Sequence, residues 1–213
     1  MENNIATKTS IRSLLDESAN IKEFSRGYFK YLSELLQDLD CDSIASFMQE
    51  LEDARRNGNT VYIIGNGGSA MTASHMANDL SFGSRGEDGE LPFKAMALSD
   101  NAAVMTALAN DCGYDSIFLR QLKVHYNPGD KLIAISASGN SPNIVAAAKW
   151  VKQKGGKVIG MVGFDGGRLK EIADVIIHVR SEKDEYGPVE DIHMIIEHLL
   201  YTWFWYYKRQ RNL

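Results

Sequence analysis

Apolar residues are spaced differently in the two parts of the chain. Over residues 11–39 they recur at intervals of three and four, which predicts an amphipathic helix with a break near Gly27. A second helix is predicted over about 42–56, ended by Asn57-Gly58. Because the first helix is much longer than the average of about 11–12 residues, the helical segment 10–57 either wraps its own core or packs against another subunit.

Beyond this segment, short apolar runs alternate with helical patterns. The runs predict strands at 61–64, 93–98, 131–135, 157–162 and 175–179. Helices are predicted at about 70–80, 101–109, 114–124, 141–154, 166–172 and 188–209. Runs that are apolar on both faces indicate a parallel sheet covered by helices. The fold class predicted for the whole chain, 1–213, is α/β: one domain, a three-layer αβα sandwich around a five-stranded parallel sheet, preceded by the N-terminal helices.

Composition narrows the class of protein. The 213 residues are 44% hydrophobic and 24% charged, as in ordinary soluble domains, and they suffice for one substantial core. The net charge of −5 argues against a nucleic-acid-binding surface, and no apolar run has the length that a membrane-spanning helix needs. Two cysteines without a CxxC motif favour a reducing compartment. We therefore expect a cytoplasmic protein that binds neither nucleic acid nor membrane.

The first predicted strand runs into a turn that is nearly devoid of side chains. Gly65-Asn66-Gly67-Gly68-Ser69 follows the strand, and a helix follows the turn, with Ser69 as its predicted N-cap. Such a turn leaves backbone N–H groups and a helix N-terminus free to bind an anion. The glycine spacing also fits a dinucleotide fingerprint, but that motif expects an acidic residue about 20 positions further on. Asp100 ends the second strand at a much greater separation, which disfavours this alternative.

A serine-rich turn follows the third predicted strand and opens a helix. Ser136, Ser138 and Ser141 supply three hydroxyls there, and the helix start supplies backbone donors, a combination that suits a phosphate monoester. Because parallel strands place their carboxyl ends at one edge of the sheet, both turns are predicted to face one ligand. The glycine- and charge-rich loop 81–91 is predicted to be mobile and close to that ligand. These features predict an enzyme that acts on a phosphorylated small molecule.

Ionisable residues on two predicted helices could carry the chemistry. His75 and Asp79 are four residues apart and share a helix face, and Glu190 and His198 fall on one ridge of the last helix. Two imidazoles and two carboxylates suit a zinc-like ion with open positions, and they equally suit an acid–base pair that moves protons about a carbonyl. The sequence leaves both open. His193 and Glu197 form another pair on the adjoining face, which is predicted to support the helix.

Five motifs in this order resemble the sugar isomerase (SIS) domain family, and within it the phosphoheptose isomerase group. They are Gly65-Asn-Gly-Gly-Ser69, Ala109-Asn-Asp-x-Gly-Tyr114, Ile135-Ser-x-Ser-Gly-Asn-Ser141, Gly163-x-Asp-Gly-Gly167, and Glu190-Asp-Ile-His193 with His198. The resemblance covers about residues 10–208. It implies conversion of sedoheptulose 7-phosphate to D-glycero-D-manno-heptose 7-phosphate, in a cytoplasmic homotetramer with its sites at subunit boundaries, where the N-terminal helices contact neighbouring subunits.

The resemblance also implies roles for individual residues. Substrate contacts would come from Asn66, Gly67, Gly68, Ser69, Asn110 and Asp111, phosphate contacts from Ser136, Ser138 and Ser141, and zinc contacts from His75, Asp79, Glu190 and His198. Three positions depart from the family pattern: Asp79 replaces the usual glutamate base, Glu190 the usual glutamine, and Ala137 a usual threonine. Asp79 is one methylene shorter than glutamate, which changes the reach of its carboxylate.

The implied reaction is an aldose–ketose isomerisation through an enediol. Asp79 or Glu190 would remove the carbon-bound proton, His198 would move a proton at the oxygens, and zinc would polarise those oxygens. The alternative is a non-catalytic SIS protein that binds sugar phosphates or a protein partner, as does a relative that associates with a replication initiator. A sugar-phosphate-sensing module is a third class. Retention of both histidines and two carboxylates favours catalysis.

Overall fold

The computed structural model describes residues 9–83 and 91–211. Residues 84–90, within the loop predicted over 81–91, lie outside the described residues. The helices are α1 (Ile11–Glu17), α2 (Ile21–Gln37), α3 (Cys41–Arg56), α4 (Gly68–Asn78), α5 (Ala102–Cys112), α6 (Ile117–His125), α7 (Pro142–Gln153), α8 (Gly167–Ile172) and α9 (Tyr186–Arg211). The strands are β1 (Thr60–Ile64), β2 (Lys94–Ala97), β3 (Lys131–Ser136), β4 (Lys157–Val162) and β5 (Val175–His178).

The five strands form one parallel sheet in the order β2-β1-β3-β4-β5. Alternate residues of each strand enter different cores. On one face, Ile63 and Ile133 pack with residues of α1–α4 and α9, and on the other, Ile64 and Leu132 pack with residues of α5–α8. Strands buried on both faces are why the sequence shows continuous apolar runs rather than alternation. The predicted three-layer α/β fold is confirmed.

The N-terminal helical segment is divided at a different place from the one predicted. The break lies at Ser18–Asn20, not at Gly27, because Asn20 caps α2. Its Oδ1 accepts from the Glu23 backbone N–H at 3.1 Å, and the Glu23 carboxylate accepts from the Ala19 N–H at 2.9 Å. Gly27 lies inside α2, where a β-carbon would come within 2.7 Å of the Leu14 side chain. The glycine therefore allows α1 to pack closely on α2.

The last helix spans the molecule and contributes to the core along most of its length. Its residues Ile192, Ile196, Leu200 and Phe204 are buried at intervals of four. The side chains of the aromatic run 203–207 are divided accordingly, since Phe204 is buried against Phe93 whereas Trp203 is largely exposed. Across residues 9–83 and 91–211, we find no helix with both the length and the apolar character needed to cross a bilayer.

Candidate functional site

The glycine turn between β1 and α4 is shaped by two glycines for different reasons. Gly67 has φ +55° and is the N-cap of α4, and its carbonyl accepts from the Ala70 N–H at 3.0 Å. Gly68 lies against the carboxylate of Glu190, with which a β-carbon at position 68 would collide. Ser69 was predicted as the N-cap, but it is already the second helical residue and is buried. The acidic side chain therefore lies at the start of α4, where the turn leaves backbone N–H groups.

The side chain of Asn66 connects this turn to two other segments. Its amide exchanges hydrogen bonds with Asn143 of α7, and its Oδ1 also accepts from the Tyr114 hydroxyl at 3.0 Å. Tyr114 follows Asn110 and Asp111, whose side chains are exposed and joined by a hydrogen bond of 2.8 Å. The segment that the motifs assigned to substrate binding thus reaches the glycine turn through Tyr114.

The serine turn leaves β3 and enters α7 with its hydroxyls grouped together. The Oγ atoms of Ser136 and Ser141 lie 3.2 Å apart, and Ser138 Oγ accepts from the Asn140 N–H at 3.3 Å. Ser141 is the N-cap of α7, yet its hydroxyl makes no capping hydrogen bond. Pro142 occupies the first position of the helix, which suits its fixed φ. An N-cap hydroxyl that does not cap its own helix is well suited to binding a phosphoryl oxygen at the helix N-terminus.

Four ionisable side chains converge where α4 meets α9. Their potential ligand atoms all lie within 4.8 Å of one another, and the four residues are His75, Asp79, Glu197 and His198. The Nε2 atoms of His75 and His198 are 3.1 Å apart. His75 Nε2 lies 3.4 Å from Asp79 Oδ2, and His198 Nε2 lies 3.4 Å from Glu197 Oε2. We call these four residues the His–acid cluster.

A π-helical turn begins at Asp79. The turn spans Asp79–Gly83 and continues directly from α4. Single π turns inside helices are rare and occur frequently at functional sites. The Asp79 backbone N–H still bonds to the His75 carbonyl, so α-helical geometry places the Asp79 carboxylate beside His75, and the wider turn displaces only the chain beyond Asp79.

Glu197, rather than Glu190, completes the cluster. The resemblance placed Glu190 among the zinc ligands, but residues eight apart on a helix lie about 12 Å apart along its axis. Glu190 therefore lies beside the start of α4, at Gly68, whereas His198 lies beside His75, two turns further along. Glu197 was predicted only to support the helix. The sequence signal for Glu197 in the cluster was that it is the one acidic residue in the otherwise largely apolar stretch 195–200.

Burial determines the electrostatics of the cluster. Glu197 is 1% exposed, and neither of its carboxylate oxygens has a hydrogen-bond partner among the described residues. Burial, followed by the nearby charge of Asp79, raises the pKa of Glu197 to about 8. Burial also raises the pKa of Glu190, with a smaller contribution from Asp191. A buried carboxylate without a donor, facing a second carboxylate and two imidazole nitrogens, is an arrangement that a bound cation would satisfy.

The cluster opens onto an apolar groove between α3 and α9. The groove has a volume of about 1240 Å³, and His198 lines it together with Met48, Leu199 and Trp203. On α9, the exposed side chains of Ile195, Leu199 and Trp203 recur at intervals of four and form a ridge along the groove. The potential ligand atoms therefore lie at the edge of a surface with the character of a protein–protein interface.

Comparison with known proteins finds consistent matches along most of the chain. Residues 27–163 match the family model described as SIS domain. The curated phosphoheptose isomerase of Rhodospirillum rubrum is 40% identical over 162 residues, which are 76% of this chain and 84% of that protein. The structure of a phosphoheptose isomerase from Francisella tularensis superposes with a TM-score of 0.77 at 28% identity, covering 90% of this chain and 97% of the other. The phosphoheptose isomerase structure from Neisseria gonorrhoeae superposes with a TM-score of 0.76 at 25% identity, covering 87% of this chain and 98% of the other.

Proposed function

We propose, starting from the fact that this chain belongs to the SIS domain family, that it is an aldose–ketose isomerase converting sedoheptulose 7-phosphate to D-glycero-D-manno-heptose 7-phosphate. The family resemblance seen in the sequence motifs is confirmed by these matches, and the curated relatives are phosphoheptose isomerases. The observation that carries the proposal is the His–acid cluster on α4 and α9. The cluster is connected to both turns, because α4 begins at the glycine turn and the glycine turn is linked to the serine turn.

The two turns would hold the substrate at its two ends. The phosphate binds in the serine turn, to the hydroxyls of Ser136, Ser138 and Ser141 and the N-terminus of α7. The open-chain sugar extends from there toward the glycine turn and the His–acid cluster. Hydroxyl groups along the sugar are bound by the 66–69 turn and by Asn110 and Asp111, the segment that Tyr114 ties to Asn66.

The isomerisation requires protons to move without net oxidation. A base takes a proton from C1 of the ketose while the C2 carbonyl oxygen gains one, which gives the enediol. O1 then loses a proton and C2 gains one, which gives the aldose. His198 moves the proton between the oxygens, and Asp79, which lies in the same cluster, acts as the base, since Glu190 lies about 12 Å back along α9.

We propose that the His–acid cluster binds zinc. Its donor set of two imidazoles and two carboxylates fits a divalent transition metal, and the partnerless buried oxygens of Glu197 support the fit. A zinc ion bound there would polarise the carbonyl and hydroxyl oxygens of the sugar. In this assignment Glu197 supplies a ligand that the motif pattern assigned to Glu190, and Glu190 is left to face the substrate.

We propose further that the protein is a cytoplasmic homotetramer in which the groove between α3 and α9 is covered by a neighbouring subunit. The apolar ridge of Ile195, Leu199 and Trp203 supports this arrangement. The N-terminal segment 10–57 contributes α3 to the same groove. An assembly of this kind closes the sugar site at a subunit boundary.

The function is tested with purified protein and sedoheptulose 7-phosphate, with zinc and after chelation, by following the aldose product by NMR. We expect turnover by the wild type and a loss of at least about 1000-fold in His198→Gln, which is close in size and cannot carry the proton. The exposed His125 provides the matched control His125→Gln, which keeps its turnover. Full activity in His198→Gln would refute the assigned role. Binding of the sugar phosphate without turnover would favour the non-catalytic alternative.

A further inference from the structure

A pair of side-chain amides joins the two turns that are proposed to hold the substrate. Asn66 in the glycine turn donates from Nδ2 to Oδ1 of Asn143 at 3.0 Å, and Asn143 donates back to Oδ1 of Asn66 at 2.9 Å. Asn143 is the second residue of α7, directly beyond Ser141 and Pro142. The pair therefore connects the turn after β1 to the turn after β3 through side chains.

The orientation of both amides is determined by further hydrogen bonds. Asn143 is 1% exposed, and its Oδ1 also accepts from the Ile144 backbone N–H at 2.9 Å. That contact leaves its Nδ2 to face Asn66. The Asn66 Oδ1 in turn accepts from both Asn143 and the Tyr114 hydroxyl. Rotating the Asn66 amide toward a ligand would break these bonds and leave buried polar atoms of Asn143 unpaired, which costs free energy.

We infer that Asn143 is a positioning residue of the isomerase, which holds the glycine turn at a set distance from the serine turn. The inference rests on the proposed function, because only a ligand that is gripped at both turns makes this distance matter. A sugar phosphate anchored by its phosphate presents its reacting carbons to α4 and α9 at a separation given by its own chain. A displacement of about 1 Å between the two turns misplaces those carbons and can lower the rate about 100-fold.

Asn143 acts through Asn66 and thereby through Tyr114. Loss of its amide releases Asn66, which then no longer holds the hydroxyl of Tyr114 at 3.0 Å in the same place. The segment that carries Asn110 and Asp111 is then displaced as well, because Tyr114 is its contact to the glycine turn. The hydroxyls of the serine turn keep their own mutual contact, Ser136 to Ser141. Binding of the phosphate group and positioning of the sugar are therefore expected to separate.

The test is the variant Asn143→Leu, which preserves the size of the side chain and removes its hydrogen bonds. We expect kcat for sedoheptulose 7-phosphate to fall about 30- to 100-fold, while the dissociation constant of inorganic phosphate, measured by calorimetry, changes less than about threefold. The matched control is Gln121→Leu. Gln121 is also a buried amide, donating to the carbonyls of Leu98 and Ile117 at 3.0 and 3.2 Å and, among the described residues, bonding to neither turn. Its variant should lose thermal stability and keep its kcat.

A double-mutant cycle separates positioning from general damage. Asn66→Leu and the double variant should be equally impaired, because Asn143 acts only through Asn66, and Asn143→Leu alone should be impaired no more than these, since Asn66 also contacts Tyr114 and the substrate. Tyr114→Phe should show a smaller loss in kcat. The inference is overturned if Asn143→Leu loses no more kcat than Gln121→Leu, or if its phosphate affinity falls in parallel with kcat.

Failure of the proposed function is distinguishable from failure of this inference. A wild type that does not convert sedoheptulose 7-phosphate rejects the proposed function. In that case the inference is still tested by two affinities, those for inorganic phosphate and for the sugar phosphate. It requires Asn143→Leu to weaken the affinity for the sugar phosphate and to leave the affinity for inorganic phosphate unchanged. A fully active wild type combined with an unimpaired Asn143→Leu rejects the inference alone.

Discussion

Replacing each of two glutamates by glutamine distinguishes the metal ligands that the structure indicates from those that the motifs imply. In Glu197→Gln, the His–acid cluster loses one of two carboxylates while the side chain keeps its size. In Glu190→Gln, a carboxylate outside the cluster is changed in the same way. If the cluster is the metal site, only the first variant should bind zinc more weakly.

The expected size of the effect follows from the number of ligands. Structural zinc sites with four protein ligands bind with about 10–16 kcal/mol, or about 3 kcal/mol for each ligand. Glutamine retains a neutral oxygen, so we expect Glu197→Gln to lose about 2–3 kcal/mol of binding free energy, which is an affinity weaker by about 30- to 140-fold. Glu190→Gln should change the affinity less than about threefold. Without metal the sign is reversed. A pKa of about 8 means that folding near pH 7 protonates Glu197, which is ionised in the unfolded chain; the variant avoids this cost, so its free energy of unfolding should be about 1–3 kcal/mol higher than that of the wild type.

The assay is a zinc titration of chelator-treated protein against a competing fluorescent chelator, together with urea unfolding of the metal-free protein. The two readouts move in opposite directions for Glu197→Gln, whereas general damage to the fold would lower both. Equal zinc affinities of the wild type and Glu197→Gln, or a large loss in Glu190→Gln, would refute the assignment and restore Glu190 as the ligand.

Three further predictions concern stability, the glycine turn and assembly. Burial lowers the pKa of His193 from 6.5 to about 4, so in metal-free protein only the unfolded state takes up its proton just below pH 6.5. Between pH 8 and pH 5, the free energy of unfolding should therefore fall by about 2 kcal/mol more in the wild type than in His193→Leu. A difference between the two proteins that does not change with pH, measured by urea unfolding, would contradict this. Gly68→Ala should reduce turnover while lowering stability by less than about 1 kcal/mol, because its β-carbon forces the flexible carboxylate end of Glu190 aside, and unchanged turnover would contradict the placement of Glu190 at this turn. Leu199→Glu places a charge in the groove beside Trp203 and should reduce the mass of the assembly measured by light scattering. A variant with the same mass as the wild type would argue against this groove as the subunit contact.

Local patterns in the sequence were sufficient to predict the fold class and the positions of the glycine and serine turns. Runs such as Val61–Ile64 are apolar throughout because strands in the middle of a parallel sheet are buried on both faces. Glycines and serines that directly follow such runs lie at the carboxyl edge of the sheet, whatever the details of packing. The face shared by His75 and Asp79 likewise follows from helical geometry within one element.

Tertiary packing decided which residues of one helix meet which residues of another. Periodicity identifies the faces of α4 and α9, but the axial offset between two helices depends on all the side chains between them. That offset brings His75 next to His198 and Glu197, and it leaves Glu190 at Gly68, about 12 Å back along the axis. The amide pair of Asn66 and Asn143 was equally beyond local patterns, because its partners are 77 residues apart and meet only when β1 and β3 lie side by side.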